Sequence, residues 1–221
     1  MITVHHLNNS RSQRVLWLLE ELGVPYEVRR YQRDARTSLA PPELKTVHPL
    51  GKSPVITDGG DTIAESGAIV EYLAGKYGGG RLVPAQGTPA HLRYVYWMHY
   101  AEGSLMPLLV MRLIFGRIPK AVPALLRPIG RKIVQGVEGG YLSPNIKLHL
   151  GYVEAELGKS TWFAGEELSA ADIQMSFPLE AAAARGGAGL GPKVQAFLAR
   201  AHARPAYQRA LEKGGPYELL R

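Results

Sequence analysis

The hydrophobic pattern changes period once along the chain, and that change limits the folds open to it. Up to about Tyr77, short strand-like runs and helical runs take turns; beyond Gly78-Gly79-Gly80 only the helical period recurs. Ile2 to Leu7 reads as a strand, after which Val15, Leu16, Leu18, Leu19 and Leu22 repeat at helical spacing until Gly23 and Pro25 stop the helix. Tyr26 to Tyr31 reads as a second strand, and Pro41-Pro42-Glu43-Leu44 as one or two helical turns with proline tolerated in the first. Pro54 to Thr57 and Thr62 to Ala64 flank the turn sequence Asp58-Gly59-Gly60-Asp61, which predicts a hairpin. Ser66 is placed to cap a helix with Ile69, Val70, Leu73 and Tyr77 on one face. The order is β-α-β-α-β-β-α over residues 1–80.

Residues 81–89, with Pro84, Gly87 and Pro89, have the composition of a linker. In residues 90–221 helical periods fall at His91 to Ile118, Pro123 to Leu157, Ala170 to Arg185, Lys193 to Ala203 and Pro205 to Lys213. Ser169 and Asp172 form a capping box of structural character, and Gly186 to Gly191 reads as a helix-to-helix connector. The expected fold class is therefore α/β plus all-α.

Near half of the 221 residues are apolar and a fifth charged, the profile of a compact globular protein. There is no cysteine, so disulfides, thiolate metal sites and Cys nucleophiles are excluded, and any sulfur chemistry must arrive with a ligand. No metal is expected. Met1 to Leu7 lacks the basic and apolar regions of a signal peptide, which points to a cytoplasmic protein. The +7 net charge lies mostly beyond Val83, in Arg112, Arg117, Lys120, Arg127, Arg131 and Lys132, with no acidic residue between Glu102 and Glu138. A nucleic-acid partner is not expected, since only Phe115 offers a base-stacking surface there. A membrane partner is not expected either: Leu105 to Phe115 is too short to span, and prolines interrupt any long amphipathic helix.

Three segments carry the candidate chemistry. Asn8-Asn9-Ser10-Arg11-Ser12-Gln13-Arg14 lies where the first strand turns into the first helix, a place that favours an anion, including a thiolate. A hydroxyl there that donates to sulfur lowers the thiol pKa; Ser10 with Gln13 is equally a capping box. His48-Pro49-Leu50-Gly51-Lys52-Ser53-Pro54-Val55 enters a strand at a proline. A cis Ser53–Pro54 bond would present the Val55 backbone as a strand edge, and Lys52 suits a carboxylate. In Ala64-Glu65-Ser66-Gly67-Ala68-Ile69, Ser66 and the helix N–H groups suit a carboxylate and Glu65 an ammonium, together an α-amino acid head group.

These segments, with Leu168-Ser169-Ala170-Ala171-Asp172-Ile173, resemble the cytosolic glutathione transferases over essentially the whole chain. Tyr100-Ala101-Glu102-Gly103-Ser104-Leu105 and Ser176-Phe177-Pro178-Leu179 resemble a bacterial and fungal serine-type branch. The resemblance implies a thioredoxin-like glutathione-binding domain at 1–80 and a helical domain at 90–221 that contributes the electrophile site. It implies that Ser10 activates the thiol of glutathione, a co-substrate, with Asn8, Asn9 and Ser12 as rival donors. Val55 after cis-Pro54 would pair with the cysteinyl backbone, Lys52 with the glycyl carboxylate, and Glu65 and Ser66 with the γ-glutamyl end. It further implies a homodimer, a hydrophobic electrophilic substrate, and possible peroxide or disulfide reduction. His99, Glu102, Met106 and Met111 are candidates for the electrophile cleft, with Glu102 a candidate to reach a partner's ligand. The alternative is a protein of the same fold that binds a ligand or partner without turnover.

Overall fold

The computed structural model describes residues 1–184 and 189–220. Four strands, β1 (Ile2–Leu7), β2 (Tyr26–Tyr31), β3 (Val55–Asp58) and β4 (Asp61–Ala64), form one sheet in the order β2-β1-β3-β4. β1 runs parallel to β2, with Ile2 opposite Tyr26 and Leu7 opposite Tyr31. A parallel pair needs a crossover, and helix α1 (Ser12–Leu22) supplies it. β3 runs antiparallel to β1 and to β4, the latter pair closed by a turn in which Gly59 takes φ +62°.

α1 is buried nearly all round, from Ser12 through Leu19 and again at Leu22, because it packs against three helices as well as the sheet. Each of its large apolar side chains contributes roughly 1.5–3 kcal/mol by burial. Gly23, at φ +68°, ends it with its N–H on the Leu19 carbonyl. After a 3₁₀ turn at Pro42–Thr46, helix α2 (Ser66–Tyr77) returns across the sheet. Asp58 fastens it there by accepting Tyr72 Oη at 2.8 Å, Lys76 Nζ at 2.8 Å and Tyr77 Oη at 2.5 Å.

The rest of the described chain is helical: α3 (Pro89–Tyr100), α4 (Met106–Ala121), α5 (Arg127–Val137), α6 (Ser143–Leu157), α7 (Ala170–Ala184), α8 (Pro192–His202) and α9 (Pro205–Gly214). Thr88 caps α3 by accepting the His91 N–H at 3.2 Å. The helix expected over His91 to Ile118 widens into a π turn at Ala101–Leu105, just before Pro107, whose nitrogen has no proton to donate. The single helix expected over Pro123 to Leu157 is two, joined through a second π turn at Glu138–Leu142 that contains Gly139 and Gly140 and precedes Pro144. Part of the expected connector, Gly186 to Ala188, lies outside the described residues.

α7 is the central post of the helical part. Ser169 Oγ and N–H both donate to Asp172 Oδ2, at 2.7 and 2.8 Å, and Phe163 N–H donates to Oδ1 at 2.7 Å. Buried Glu180 on the same helix accepts Tyr207 Oη at 2.6 Å and Tyr217 Oη at 2.7 Å, which ties the C-terminal segment against α7. One continuous apolar core runs from Ile2, Val4 and Ile56 of the sheet through α1 to Trp97, Phe163 and Phe197.

Candidate functional site

The β1–α1 turn carries the polar residues singled out in the sequence, and the structure sorts them. Asn8 Oδ1 accepts the Arg33 N–H at 2.8 Å, while Asn9, at φ +51°, exchanges two bonds with Glu218 of the C-terminal segment, at 3.0 and 2.8 Å. The Asn9 amide is thus engaged through both its oxygen and its NH₂, and that of Asn8 through its oxygen. Ser10 and Ser12 face inward instead. Ser10 Oγ accepts the Ser12 N–H at 3.2 Å and lies 2.7 Å from Ser12 Oγ, which lies 2.9 Å from His6 Nδ1. Ser10, Ser12 and His6 are all buried. Burial, with the nearby charge of Arg30, pushes the His6 pKa down to about 4, so the ring is neutral at ordinary pH and carries one N–H. The proposed capping box does not close: the Gln13 amide has no hydrogen-bond partner, being buried beside Gly214.

The second and third segments meet across a cleft of about 280 Å³, whose walls include Lys52, Ser53, Pro54, Glu65, Ser66 and Glu102. The Ser53–Pro54 peptide is cis, and Ser53 Oγ donates to the His5 carbonyl at 3.0 Å, which fixes the loop to β1. β3 is an interior strand, with Val55 opposite His5 on one side and Ala64 on the other. Val55 is thus the first residue of an interior strand and not part of a free sheet edge.

Glu65, not Ser66, occupies the cap position of α2, with φ +72° and no side-chain capping bond. Ser66 is the first residue of the helix and is buried, so the N–H groups behind it form the anion-favouring end. A non-glycine residue at φ +72° costs roughly 1–3 kcal/mol, and such strain collects at ligand-binding positions.

Between the two segments stands a charged clamp that sequence reading did not foresee. Arg11 Nε donates to both Glu102 oxygens at 3.0 Å, and Arg14 Nη2 donates to Oε1 at 2.6 Å. Arg14 is fully buried, with Nη1 on the Gln174 carbonyl at 2.5 Å. Burial alone would raise the Glu102 pKa, but the charges of Arg14 and Arg11 outweigh it and hold the carboxyl below its ordinary value. Glu102 is therefore engaged within its own chain, on the cleft wall. Arg11 joins the cleft wall, whereas the Ser10 side chain is not part of the lining.

Two other expected residues are placed elsewhere. Met106 is 4% exposed and belongs to the core, and His99 is an exposed residue of α3 that is not part of the lining of this cleft. Met111 is half-buried and packs on the core. A larger cavity of about 750 Å³ lies behind the 81–89 segment, but the Glu21 and Arg204 that flank it neutralise each other at 2.5 Å. Among the described residues no cluster of three His, Asp or Glu is arranged to hold a metal.

The glutathione S-transferase N-terminal domain model matches residues 1–75, and the C-terminal domain model of the same family matches residues 119–205. The chain belongs to the glutathione S-transferase family. It is 45% identical over 184 residues to glutathione S-transferase 3 of Schizosaccharomyces pombe, covering 82% of this chain and 74% of that one. Among solved structures, a glutathione S-transferase from Actinobacillus pleuropneumoniae superimposes over 100% of this chain and 96% of its own, at TM-score 0.85 and 34% identity. A theta class glutathione S-transferase from Xanthomonas axonopodis, solved with glutathione bound, matches at TM-score 0.70 and 27% identity over 95% and 96% of the two chains. A general glutathione transferase function follows for this chain, with the sheet and α1 and α2 as its thioredoxin-like part.

Proposed function

We propose that this transferase ionises the thiol of bound glutathione at Ser10 and delivers the thiolate to an electrophilic small molecule. The observation that supports it most is the convergence of Lys52, cis-Pro54, Glu65 and Ser66 on one cleft beside the β1–α1 turn. Those groups complement one extended tripeptide. The α2 N-terminus with Ser66 receives the γ-glutamyl carboxylate, Glu65 its ammonium, the end of β3 at Val55 the cysteinyl backbone, and Lys52 the glycyl carboxylate.

The hydrogen bonds behind Ser10 specify how its hydroxyl would act. To stabilise a sulfur anion, Ser10 must turn its proton toward the ligand, leaving Oγ to accept from Ser12 N–H and Ser12 O–H. Ser12 Oγ then accepts from His6 in the neutral tautomer that carries its proton on Nδ1, the tautomer this arrangement requires. In this arrangement Ser12 and His6 orient the donor, and Ser10 holds the charge that develops on sulfur before it attacks carbon and the leaving group departs. Reduction of a hydroperoxide by the same thiolate would oxidise sulfur, and a second glutathione would have to complete the disulfide because the chain has no cysteine.

The proposal includes the division into a glutathione-binding domain at 1–80, a linker at 81–89 and a helical domain from 90, and a cytoplasmic homodimer, all resting on the family resemblance. Steady-state kinetics with an aryl halide test the site. Ser10→Ala should lower kcat by about 10²-fold with glutathione affinity within a few fold, and Ser66→Ala should raise the glutathione KM instead. Equal effects of both on KM would remove Ser10 from the chemistry; tight binding by wild type without turnover would favour the non-catalytic reading.

A further inference from the structure

α4 and α5 form a hairpin whose tip contributes little to the core. From Ala121 to Ile129 every residue except Val122 is exposed, and Leu125, Ile129 and Ile133 are 89%, 58% and 54% exposed. These three recur every fourth residue and so share one stripe, which Leu126 widens. The buried residue of α5 is Gly130, which approaches Ile118, Pro119 and Val122 at the end of α4. The helix thus lies on α4 through its glycine and turns its aliphatic stripe outward.

The same surface is strongly cationic. Lys120, Arg127, Arg131 and Lys132 are all exposed, and no Asp or Glu lies between Glu102 and Glu138. Glu138 is already paired with Arg112, and Glu102 with Arg11 and Arg14. A contiguous apolar patch ringed by polar residues marks an interaction surface, and here the sign of the ring selects the occupant. Laying this face on the same face of a second copy would set four cations against four in a chain that already carries +7. An anionic surface is complementary.

We infer that the α4–α5 hairpin tip docks on anionic membrane surfaces, with Leu125, Leu126 and Ile129 entering the headgroup boundary and the flanking cations meeting lipid phosphates. Clusters of Lys and Arg beside an apolar face bind such surfaces, each cation adding about fivefold to the partition. This revises the sequence expectation of no membrane partner. The prolines do not break one long amphipathic helix: Pro123 lies in the tip and Pro128 in the first turn of α5, where both leave the stripe intact. The docking is peripheral, since no helix among the described residues is long and apolar enough to cross a membrane.

Co-sedimentation of the purified full chain with vesicles of phosphatidylcholine, and of phosphatidylcholine mixed with phosphatidylserine, tests the inference. The expected result is binding to the phosphatidylserine vesicles only, weakened by salt and by Arg127→Gln or Arg131→Gln about fivefold each. Leu125→Ser with Ile129→Ser should weaken it by on the order of tenfold or more, with circular dichroism and transferase activity unchanged. Equal binding to both lipids, no binding to either, or full retention by the double serine variant would overturn the inference. So would equally tight binding to polyglutamate that ignores Leu125 and Ile129, since the face would then read charge alone. Loss of a dimer by the double variant in sedimentation velocity would assign the face to a second copy and overturn it as well.

Discussion

Asp172 should give the helical part a pH dependence opposite in sign to that of carboxylates held ionised by a cationic partner. Its oxygens accept three donors, from Phe163 N–H and from the N–H and hydroxyl of Ser169, yet complete burial raises its pKa from the ordinary 3.8 to about 6. The folded state then binds this proton more tightly than the unfolded state. The stability it contributes is fully present below about pH 3.8 and is lost as pH rises through about 6. A gap of about two units corresponds to roughly 3 kcal/mol, of which about 2 kcal/mol falls between pH 4.5 and 7. Asp172→Asn removes the titration and turns an amide NH₂ toward a donor that the carboxylate had satisfied, at a cost of roughly 2–4 kcal/mol. Urea unfolding of both proteins at pH 4.5 and pH 7 measures the two effects. The wild-type advantage should shrink by about 2 kcal/mol on going to pH 7. An advantage that stayed constant or grew with pH would refute the reasoning, because the three donors would then outweigh burial and hold the carboxylate ionised.

Three further outcomes are expected. Glu102→Gln leaves the Arg14 guanidinium buried without a counter-charge and should destabilise by roughly 2 kcal/mol in urea unfolding, discounted because Glu102 is about a third exposed. Since its pKa is lowered, the wild-type advantage over this variant should fade as the pH drops through the Glu102 folded pKa. Ser12→Ala should lower kcat about tenfold, less than Ser10→Ala, and move the acid limb of the pH–rate profile toward that of free glutathione, because only the orientation of the Ser10 proton is lost. Glu65→Gly relieves the φ +72° strain and should raise stability by about 1 kcal/mol in thermal melts while weakening glutathione binding in calorimetry by about tenfold or more.

Local features of this fold were legible in the sequence, and contacts between distant segments were not. Strand alternation and the Asp58-Gly59-Gly60-Asp61 turn predicted the sheet, because a hairpin is set by neighbours a few residues apart. The Ser169–Asp172 box was legible for the same reason. Asn9 was indistinguishable from Ser10 as a donor because the group that takes its NH₂, Glu218, lies 209 residues away. The Arg11–Arg14–Glu102 clamp was hidden likewise: its arginines stand three residues apart, Arg11 at the N-cap of α1 and Arg14 in its first turn, a spacing that says they share a face but not what they meet. The helical period read over Pro123 to Leu157 runs unbroken through the π turn at Glu138–Leu142, whose local widening leaves no mark in the apolar pattern. The cap of α2 was misassigned by one residue, since serine is the better intrinsic cap and only the backbone dihedral of Glu65 shows otherwise.

The central claim, thiol activation at Ser10, is tested most directly by following the ultraviolet absorbance of the glutathione thiolate against pH, bound to wild type and to Ser10→Ala. The account predicts that the bound thiol ionises at least about one unit below its pKa in solution, and that the shift is largely lost in the variant while glutathione still binds. A shift that survived Ser10→Ala undiminished would contradict it.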